Sequence, residues 1–182
     1  MISKTLGWPG PLSELLPGAP FRERHLGVVP ADPDATWRAL QRLRWSDVAG
    51  GRFLMLLRGI GFGGRAARPC LDLFRDVAHF EEAAPQEFGF VMIGRPWLPV
   101  PASRPVTSMG QAADFTEPGW LVYGMDWVLT GLPDGRTLVE THTICRPTST
   151  SARVAFGAYW AVIRPFSGLL RRGMIAALAR TS

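Results

Sequence analysis

The sequence contains few of the residues from which disulfide frameworks and metal centres are built. Among its 182 residues are two cysteines, Cys70 and Cys145, and three histidines. The cysteines fit neither the spacing of a zinc ribbon nor that of a disulfide-stapled secreted domain. Asp72, Asp76 and His79 share a face only if the segment around them is helical, so we expect no metal site and no cofactor. Reduced thiols are typical of the cytoplasm, where we expect this protein to reside.

Long uncharged hydrophobic runs are also absent. No apolar stretch reaches about 18 residues without a charge, so no membrane-spanning helix is expected. The region around Lys4 lacks an apolar segment of signal-peptide length, and no signal peptide is expected. Lys4 is the only lysine, and the arginines are scattered between Arg22 and Arg180 rather than gathered in a basic block. Despite a net charge of +5, we therefore expect neither nucleic-acid binding nor stable membrane insertion.

The composition is that of a globular protein with a substantial core. Hydrophobic residues make up 47% and charged residues 19% of the chain, and 182 residues fit one domain. Residues 1–20 are rich in proline and glycine, which argues against a regular helix or a central strand. We expect them to form an arm that lies on a single domain of residues 21–182 and is held there by Leu12, Leu15 and Leu16.

The first part of this domain predicts a strand followed by two short helices. Residues 21–29 form the strand. Asp32 is placed to cap a helix that has Pro33 at its first position and runs to about residue 44. A second short helix is expected from about residue 46 to residue 59.

Residues 70–83 leave two interpretations open. They form either a helix with one apolar side or a strand that pairs, through a turn at Pro85, with residues 87–94. The hairpin is favoured because its second half is a clear apolar strand. Residues 95–110 hold several prolines and predict a loop or an edge, and residues 111–116 predict a short strand.

The last third of the chain is the most informative part. A run in which apolar side chains alternate, residues 121–129, leads through a turn at residues 133–135 into a second strand over residues 137–145. A long amphipathic helix follows over residues 151–180. Two long strands that feed a terminal helix predict an α+β fold, in which a curved antiparallel sheet wraps around the helix and leaves a concave apolar face.

The terminal helix has two distinct sides. One side is an apolar stripe that is expected to face the sheet: Phe156, Tyr159, Ile163, Phe166, Leu170 and Met174. Four arginines lie toward the opposite side: Arg153, Arg164, Arg171 and Arg172. Because the apolar side is used against the sheet, only a peripheral contact with a membrane surface, through Arg171 and Arg172, is expected of this basic amphipathic helix. Pro165 removes a helical hydrogen bond and predicts a kink.

Several short segments carry a family resemblance. The opening one is Val29-Pro30-Ala31-Asp32-Pro33-Asp34-Ala35-Thr36-Trp37, and the most specific one is Tyr159-Trp160-Ala161-Val162-Ile163-Arg164-Pro165-Phe166-Ser167-Gly168-Leu169-Leu170-Arg171-Arg172. Shorter ones are Gly94-Arg95-Pro96-Trp97, Pro118-Gly119-Trp120, Asp134-Gly135-Arg136-Thr137 and Thr141-His142-Thr143. Together they resemble the START-like (SRPBCC) superfamily, and in particular an uncharacterised bacterial branch of it. The resemblance covers roughly residues 21–180.

The resemblance implies a helix-grip fold. Its expected form is an antiparallel sheet of about seven strands wrapped around the last helix, with two short helices after the first strand and a cavity between sheet and helix. Members of the superfamily bind lipids, sterols, polyketides or hormones, and some are cyclases, aromatases or hydroxylase subunits. They share no common catalytic set, so the resemblance implies no particular reaction.

Strand alternation assigns the side chains that face the expected cavity. Glu23 and His25 share the inward face of the first strand. They are the candidate catalytic residues, because a carboxylate beside an imidazole orients one tautomer and raises its basicity. His142 and Glu140 are expected to face outward, and Cys145 to be a small buried hydrophobe. The candidate ligand contacts are Tyr123, Met125, Trp127, Thr141, Thr143, Tyr159, Ile163 and Phe166.

Three functions are compatible with this pattern. The first is binding of a small hydrophobic molecule, lipid-like or polyketide-like, in the cavity. The second is an enzyme of the cyclase, dehydratase or hydrolase type that uses His25 with Glu23. The third is an interaction protein, for example a homodimer, with an exposed apolar patch around Trp8, Trp97 or Trp120.

Overall fold

A computed structural model describes residues 9–48 and 69–181. The strands are β1 (Phe21–Val29), β2 (His79–Ala83), β3 (Glu87–Arg95), β4 (Ala102–Arg104), β5 (Leu121–Gly131) and β6 (Thr137–Pro147). The helices are α1 (Pro11–Leu15), α2 (Pro33–Arg42), α3 (Met109–Asp114) and α4 (Thr150–Thr181), with 3-10 turns at Trp45–Asp47 and Cys70–Leu73. The second short helix was expected from about residue 46 to residue 59, and its part from residue 49 onward lies outside the described residues. Trp8 also lies outside them.

The strands form one antiparallel sheet in the order β1-β6-β5-β3-β2, with the short strand β4 added to β3. The described part of the chain therefore holds six strands, where about seven were expected. Helix α4 runs from residue 150 to residue 181 and packs on β1 and β6. The predicted α+β helix-grip architecture is confirmed.

Local sequence signals account for the first helix of the domain. Asp32 lies just before α2, and its Oδ1 atom accepts a hydrogen bond from the backbone N–H of Ala35 at 2.7 Å. This bond satisfies a helical donor that has no partner within the helix. Pro33 occupies the first turn, where its missing N–H costs nothing. The predicted cap is confirmed, and the helix ends at Arg42.

Of two other predictions, the structure confirms most of one and contradicts the other. The hairpin interpretation of residues 70–83 is confirmed for β2, which pairs with β3, whereas residues 70–73 form a 3-10 turn. The strand predicted at residues 111–116 is wrong. Helix α3 occupies this segment because the Ser108 hydroxyl accepts a hydrogen bond from the Gln111 backbone N–H and caps the helix.

The concave face of the sheet packs against α2 and α4 and forms the main core. Its largest fully buried side chains are Trp127, Phe88 and Phe90, which come from the central strands β5 and β3. Met174 and Leu178 belong to the same cluster and come from the last turns of α4. The inward alternation predicted for β5 thus gives the observed core face.

The convex face of the sheet is also covered. A second cluster joins Leu12 and Leu16 from the N-terminal segment to Val91, Val122 and Ile144 of the sheet, all nearly inaccessible to solvent. Helix α3 adds further apolar side chains to this cluster. The described part of the arm, residues 9–20, packs on the sheet through Leu12 and Leu16. It also contains helix α1, so the expectation that its prolines and glycines exclude a regular helix is wrong: Pro11 occupies the first turn, where its missing N–H is tolerated.

Two buried polar residues lie beneath this arm. Asp126 of β5 and His142 of β6 face each other across the strands, with 2.5 Å between Asp126 Oδ1 and His142 Nδ1. The other carboxylate oxygen, Oδ2, accepts a hydrogen bond from the backbone N–H of Leu12 at 3.1 Å. His142 faces outward as predicted, yet the arm shields it from solvent. The three residues form a buried link, hereafter the arm latch, between the arm and the sheet.

The neighbouring outward carboxylate on β6 is also engaged. Glu140 accepts a hydrogen bond from Arg24 Nε on the adjacent strand β1 at 3.0 Å. Further along β6, Arg146 donates hydrogen bonds to the carbonyl oxygens of Ala112 and Ala113 at the end of α3. These contacts tie the edge strand and α3 to the outer side of β6.

No helix within the described residues combines the length and apolar character that crossing a bilayer requires.

The arm latch gives a prediction about stability. Asp126→Ala removes one partner of a fully buried pair and leaves both His142 and the Leu12 N–H without its carboxylate, so we expect a loss of about 3–5 kcal/mol in the free energy of unfolding. Urea unfolding measures this loss. Asp72→Ala is the control, because it breaks the surface ion pair with Arg75 and should cost about 1 kcal/mol or less. Equal midpoints for the two variants would show that the latch does not hold the fold.

Candidate ligand-binding cavity

A cavity of about 120 Å³ lies between the concave face of the sheet and α4. Strands β3, β5 and β6 form one wall, and α4 together with the segment around Cys70 forms the other. Its apolar lining is largely aromatic and sulfur-containing: Trp45, Phe74, Phe90, Met92, Tyr123, Met125, Phe156, Tyr159, Trp160 and Met174. The described lining thus offers an apolar space bordered by a few polar groups, as ligand pockets commonly do.

Five of the eight predicted ligand contacts line this cavity: Tyr123, Met125, Thr143, Tyr159 and Ile163. Trp127, Thr141 and Phe166 are not part of the described lining. Trp127 and Thr141 pair with each other across β5 and β6 and are almost completely buried. Around Trp127 the space between sheet and helix is filled by core side chains. Within the described lining, the sheet therefore borders the cavity at the rows that contain Met125 and Tyr123.

The candidate catalytic pair lies beside the cavity. His25 Nε2 is 3.0 Å from Glu23 Oε1, and the two side chains are 16% and 9% exposed. Both face α4 as the strand alternation predicted, and a Cβ atom at Gly168 would lie 2.9 Å from Glu23 Oε1 and 3.2 Å from His25 Cε1. Strand β1 is the edge of the sheet, and neither residue belongs to the described lining. The structure brings the pair together but places it to one side of the cavity.

The close approach of α4 to this pair gives a second prediction. Gly157→Ala should stabilise the protein by up to about 1 kcal/mol, because alanine favours the helix and its Cβ would meet Phe21 at an ordinary 3.6 Å. Gly168→Ala should lose this gain, since its Cβ displaces the Glu23 and His25 side chains. Thermal and urea unfolding of both variants measure the difference. An equal gain in stability at the two positions would show that the Glu23 and His25 side chains move aside without a loss of stability.

A charged residue whose sequence position predicted the outer side of α4 also lines the cavity. Arg171 was expected on the outer side of α4, but it is only 4% exposed and belongs to the lining. Its Nη2 atom donates a hydrogen bond to Thr143 Oγ1 at 3.2 Å, and Nη1 contacts Met125 Sδ. The hydropathy pattern predicted Arg171 on the outer side of α4 because an arginine side chain is rarely buried. Its helical spacing from the buried residues Gly168 and Ile175, three and four positions away, is the signal that places it inward.

Both cysteines border the cavity as unreactive thiols. Burial raises the pKa of Cys70 to about 12, and the nearby carboxylate of Asp47 acts in the same direction. Burial also raises the pKa of Cys145 far above its ordinary value, with a further contribution from Glu23. The positive charge of Arg171 acts against both shifts without cancelling them. A nucleophilic thiol needs a lowered pKa, so neither cysteine is suited to covalent chemistry.

The thiols provide a direct chemical test. At pH 8 we expect iodoacetamide to leave Cys70 and Cys145 of the folded protein unmodified, because a thiol with a pKa of about 12 is ionised to roughly one part in ten thousand. The same reagent should modify both cysteines in urea, where their pKa values return to normal. Peptide mass spectrometry measures each site. Fast alkylation of Cys70 in the native state would contradict its raised pKa.

Comparisons with solved structures find distant similarities. No protein-family profile and no curated protein matches the sequence. A hypothetical protein from Helicobacter pylori aligns with a TM-score of 0.41 at 8% identity, over 97% of this chain and 97% of its own. The Zhui aromatase/cyclase from a Streptomyces species aligns with a TM-score of 0.34 at 14% identity, over 88% of this chain and 94% of its own. TM-scores this low carry no argument about function.

Proposed function

We propose that this protein binds a small hydrophobic molecule, lipid-like or polyketide-like, in the cavity between the sheet and α4. The observation that carries the proposal is the cavity itself, which is bordered by aromatic and methionine side chains from both walls. The helix-grip architecture and the sequence segments that resemble the START-like superfamily support it. We further propose that residues 1–20 form an N-terminal arm and residues 21–182 a single domain that contains the cavity.

The size of the cavity indicates the size of the ligand portion that it encloses. A dry apolar cavity of roughly 150 Å³ accommodates benzene, so about 120 Å³ suits a single ring or a short branched chain. Transfer of such a group from water is favourable in proportion to the apolar area that it loses to solvent. Tyr123, Thr143 and Tyr159 add hydroxyl groups to the lining, and these supply polar contacts that fix the orientation of the ligand.

The two other candidate functions receive less support. An enzyme that uses His25 and Glu23 needs its reacting atoms within reach of that pair, and the pair does not border the described cavity. Trp120 does not form an exposed apolar patch, because the residue is 8% exposed and the Arg95 guanidinium lies 4.1 Å from its ring centroid. Trp97 is half-buried and packs edge-on against Phe156.

A cavity-filling substitution tests the proposal. Ile163→Trp places an indole where Ile163 lines the cavity and should abolish binding of a neutral aromatic probe such as indole. Val162→Trp is the matched control, because Val162 is 65% exposed on the other side of the same helix and its substitution should leave binding unchanged. Isothermal titration calorimetry measures both variants. Unaltered indole binding in Ile163→Trp would place the binding site elsewhere.

The natural ligand is sought by native mass spectrometry of the purified protein. We expect a stoichiometric mass increment that disappears on denaturation, and solvent extraction then identifies the molecule. The Ile163→Trp variant, purified in parallel, should lack the increment. A ligand that copurifies equally with both proteins would argue against the cavity as its site.

A further inference from the structure

A positive charge lies within the apolar wall of the cavity. Arg171 is 4% exposed and borders the same space as Phe90, Met92 and Met174. Removing a guanidinium from water is costly unless other groups replace its hydration. Arg171 brings a charged fork to the edge of an otherwise apolar space, within reach of a molecule that enters the cavity.

The geometry of the guanidinium shows which group would fit. It carries five N–H donors in a planar fork that matches the two oxygens of a carboxylate. One nitrogen, Nη2, donates to the hydroxyl of Thr143, while Nη1 is set against the thioether sulfur of Met125. A thioether is a weak acceptor, and the methionine side chain is flexible. A ligand oxygen that displaces this sulfur exchanges a weak contact for a charge-assisted hydrogen bond.

Thr143, Met125 and Glu23 lie in one row across the inner face of the sheet. Thr143 pairs with Glu23 on one side and with Met125 on the other. The fork of Arg171 lies over the Thr143 and Met125 part of this row, and Met125 borders the cavity. The Met125 side is therefore where a ligand in the cavity meets the fork.

We propose that Arg171 binds an anionic oxygen group of the ligand, in particular a carboxylate, so that the preferred ligands are small hydrophobic acids. This inference rests on the proposed function, because it concerns the same cavity. The apolar part of the ligand fills the aromatic space, and its acidic end meets the guanidinium at the Met125 side. Thr143 holds the guanidinium in place and acts as a positioning residue.

Other charges near Arg171 determine how strongly the cavity should prefer an acid over a neutral molecule. The carboxylate of Glu23 acts on the Cys145 thiol and that of Asp47 acts on the Cys70 thiol, and Arg171 opposes both. These two carboxylates repel an incoming anion and reduce the attraction exerted by Arg171. We therefore expect the preference for an acid over a neutral molecule of the same shape to be about tenfold, at the lower end of what a charge-assisted hydrogen bond gives.

The test compares phenylacetate with phenylacetamide, which have the same shape and differ in charge at neutral pH. Isothermal titration calorimetry at pH 7 should show that the unmodified protein binds the acid about tenfold more tightly than the amide. Arg171→Gln should reduce this ratio to about one, because a neutral side chain no longer favours the anion over the amide. Arg172→Gln, which changes the exposed neighbouring arginine, should keep the original ratio.

A further variant keeps Arg171 intact. Glu23→Gln removes a repelling carboxylate and should raise the affinity for phenylacetate without changing that for phenylacetamide. Equal binding of acid and amide by the unmodified protein, or an unchanged ratio in Arg171→Gln, would overturn the role of Arg171 and leave cavity binding intact. If neither compound binds while indole also fails to bind, the cavity is not a binding site, and both proposals fall together.

Discussion

The pairing register of β5 and β6 is the constraint on which the rest of the structure depends. It sets Met125 opposite Thr143 and, one residue further, Asp126 opposite His142. The first pair faces the cavity and contacts Arg171, whereas the second faces the convex side and bonds to the arm. Because side chains alternate between the faces of a sheet, a slip of one residue would exchange the two sets. Cavity and arm latch are therefore specified by the same hydrogen-bonded ladder.

This arrangement divides the polar residues of the sheet by function. On the convex side Asp126 pairs with His142 and accepts a hydrogen bond from the Leu12 backbone N–H. These polar groups therefore hold the arm on the sheet. On the concave side Thr143 faces the cavity, and Arg171 of α4 reaches it from the other wall. The two cysteines on this side are kept protonated by burial. A nucleophilic thiol is therefore not among the groups that Cys70 and Cys145 present to the cavity.

The sequence predicted those features that depend on local patterns. The strand at residues 21–29, the Asp32 cap, the long terminal helix and the inward faces of β5 and β6 all follow from alternation, capping and helical periodicity. Arg171 was misplaced because hydropathy treats a charged side chain as exposed, although its spacing along the helix fits the buried side. The segment at residues 111–116 was misread because the capping role of Ser108 outweighs its weak strand pattern.

Other features depend on contacts that no local pattern encodes. The burial of His142 requires the arm to lie on the outer face, and nothing in the strand itself distinguishes an outward histidine in water from one beneath Leu12. Trp127 and Thr141 were correctly assigned to the inner face. Whether they meet a ligand or other side chains depends on how closely α4 approaches each row of the sheet.

The hydrogen bond between Leu12 and Asp126 also bears on the order in which the protein is assembled. Its two ends are 114 residues apart in the chain, and the histidine that completes the latch lies later still. During synthesis the arm is made well before β5 and β6, so Leu12 and Leu16 have no sheet to cover until residue 142 has been added. Closing such a long loop costs chain entropy before the contacts that offset this cost can form. Leu12 and Leu16 are thus translated well before the strands that they cover, and they reach their native environment only after those strands exist.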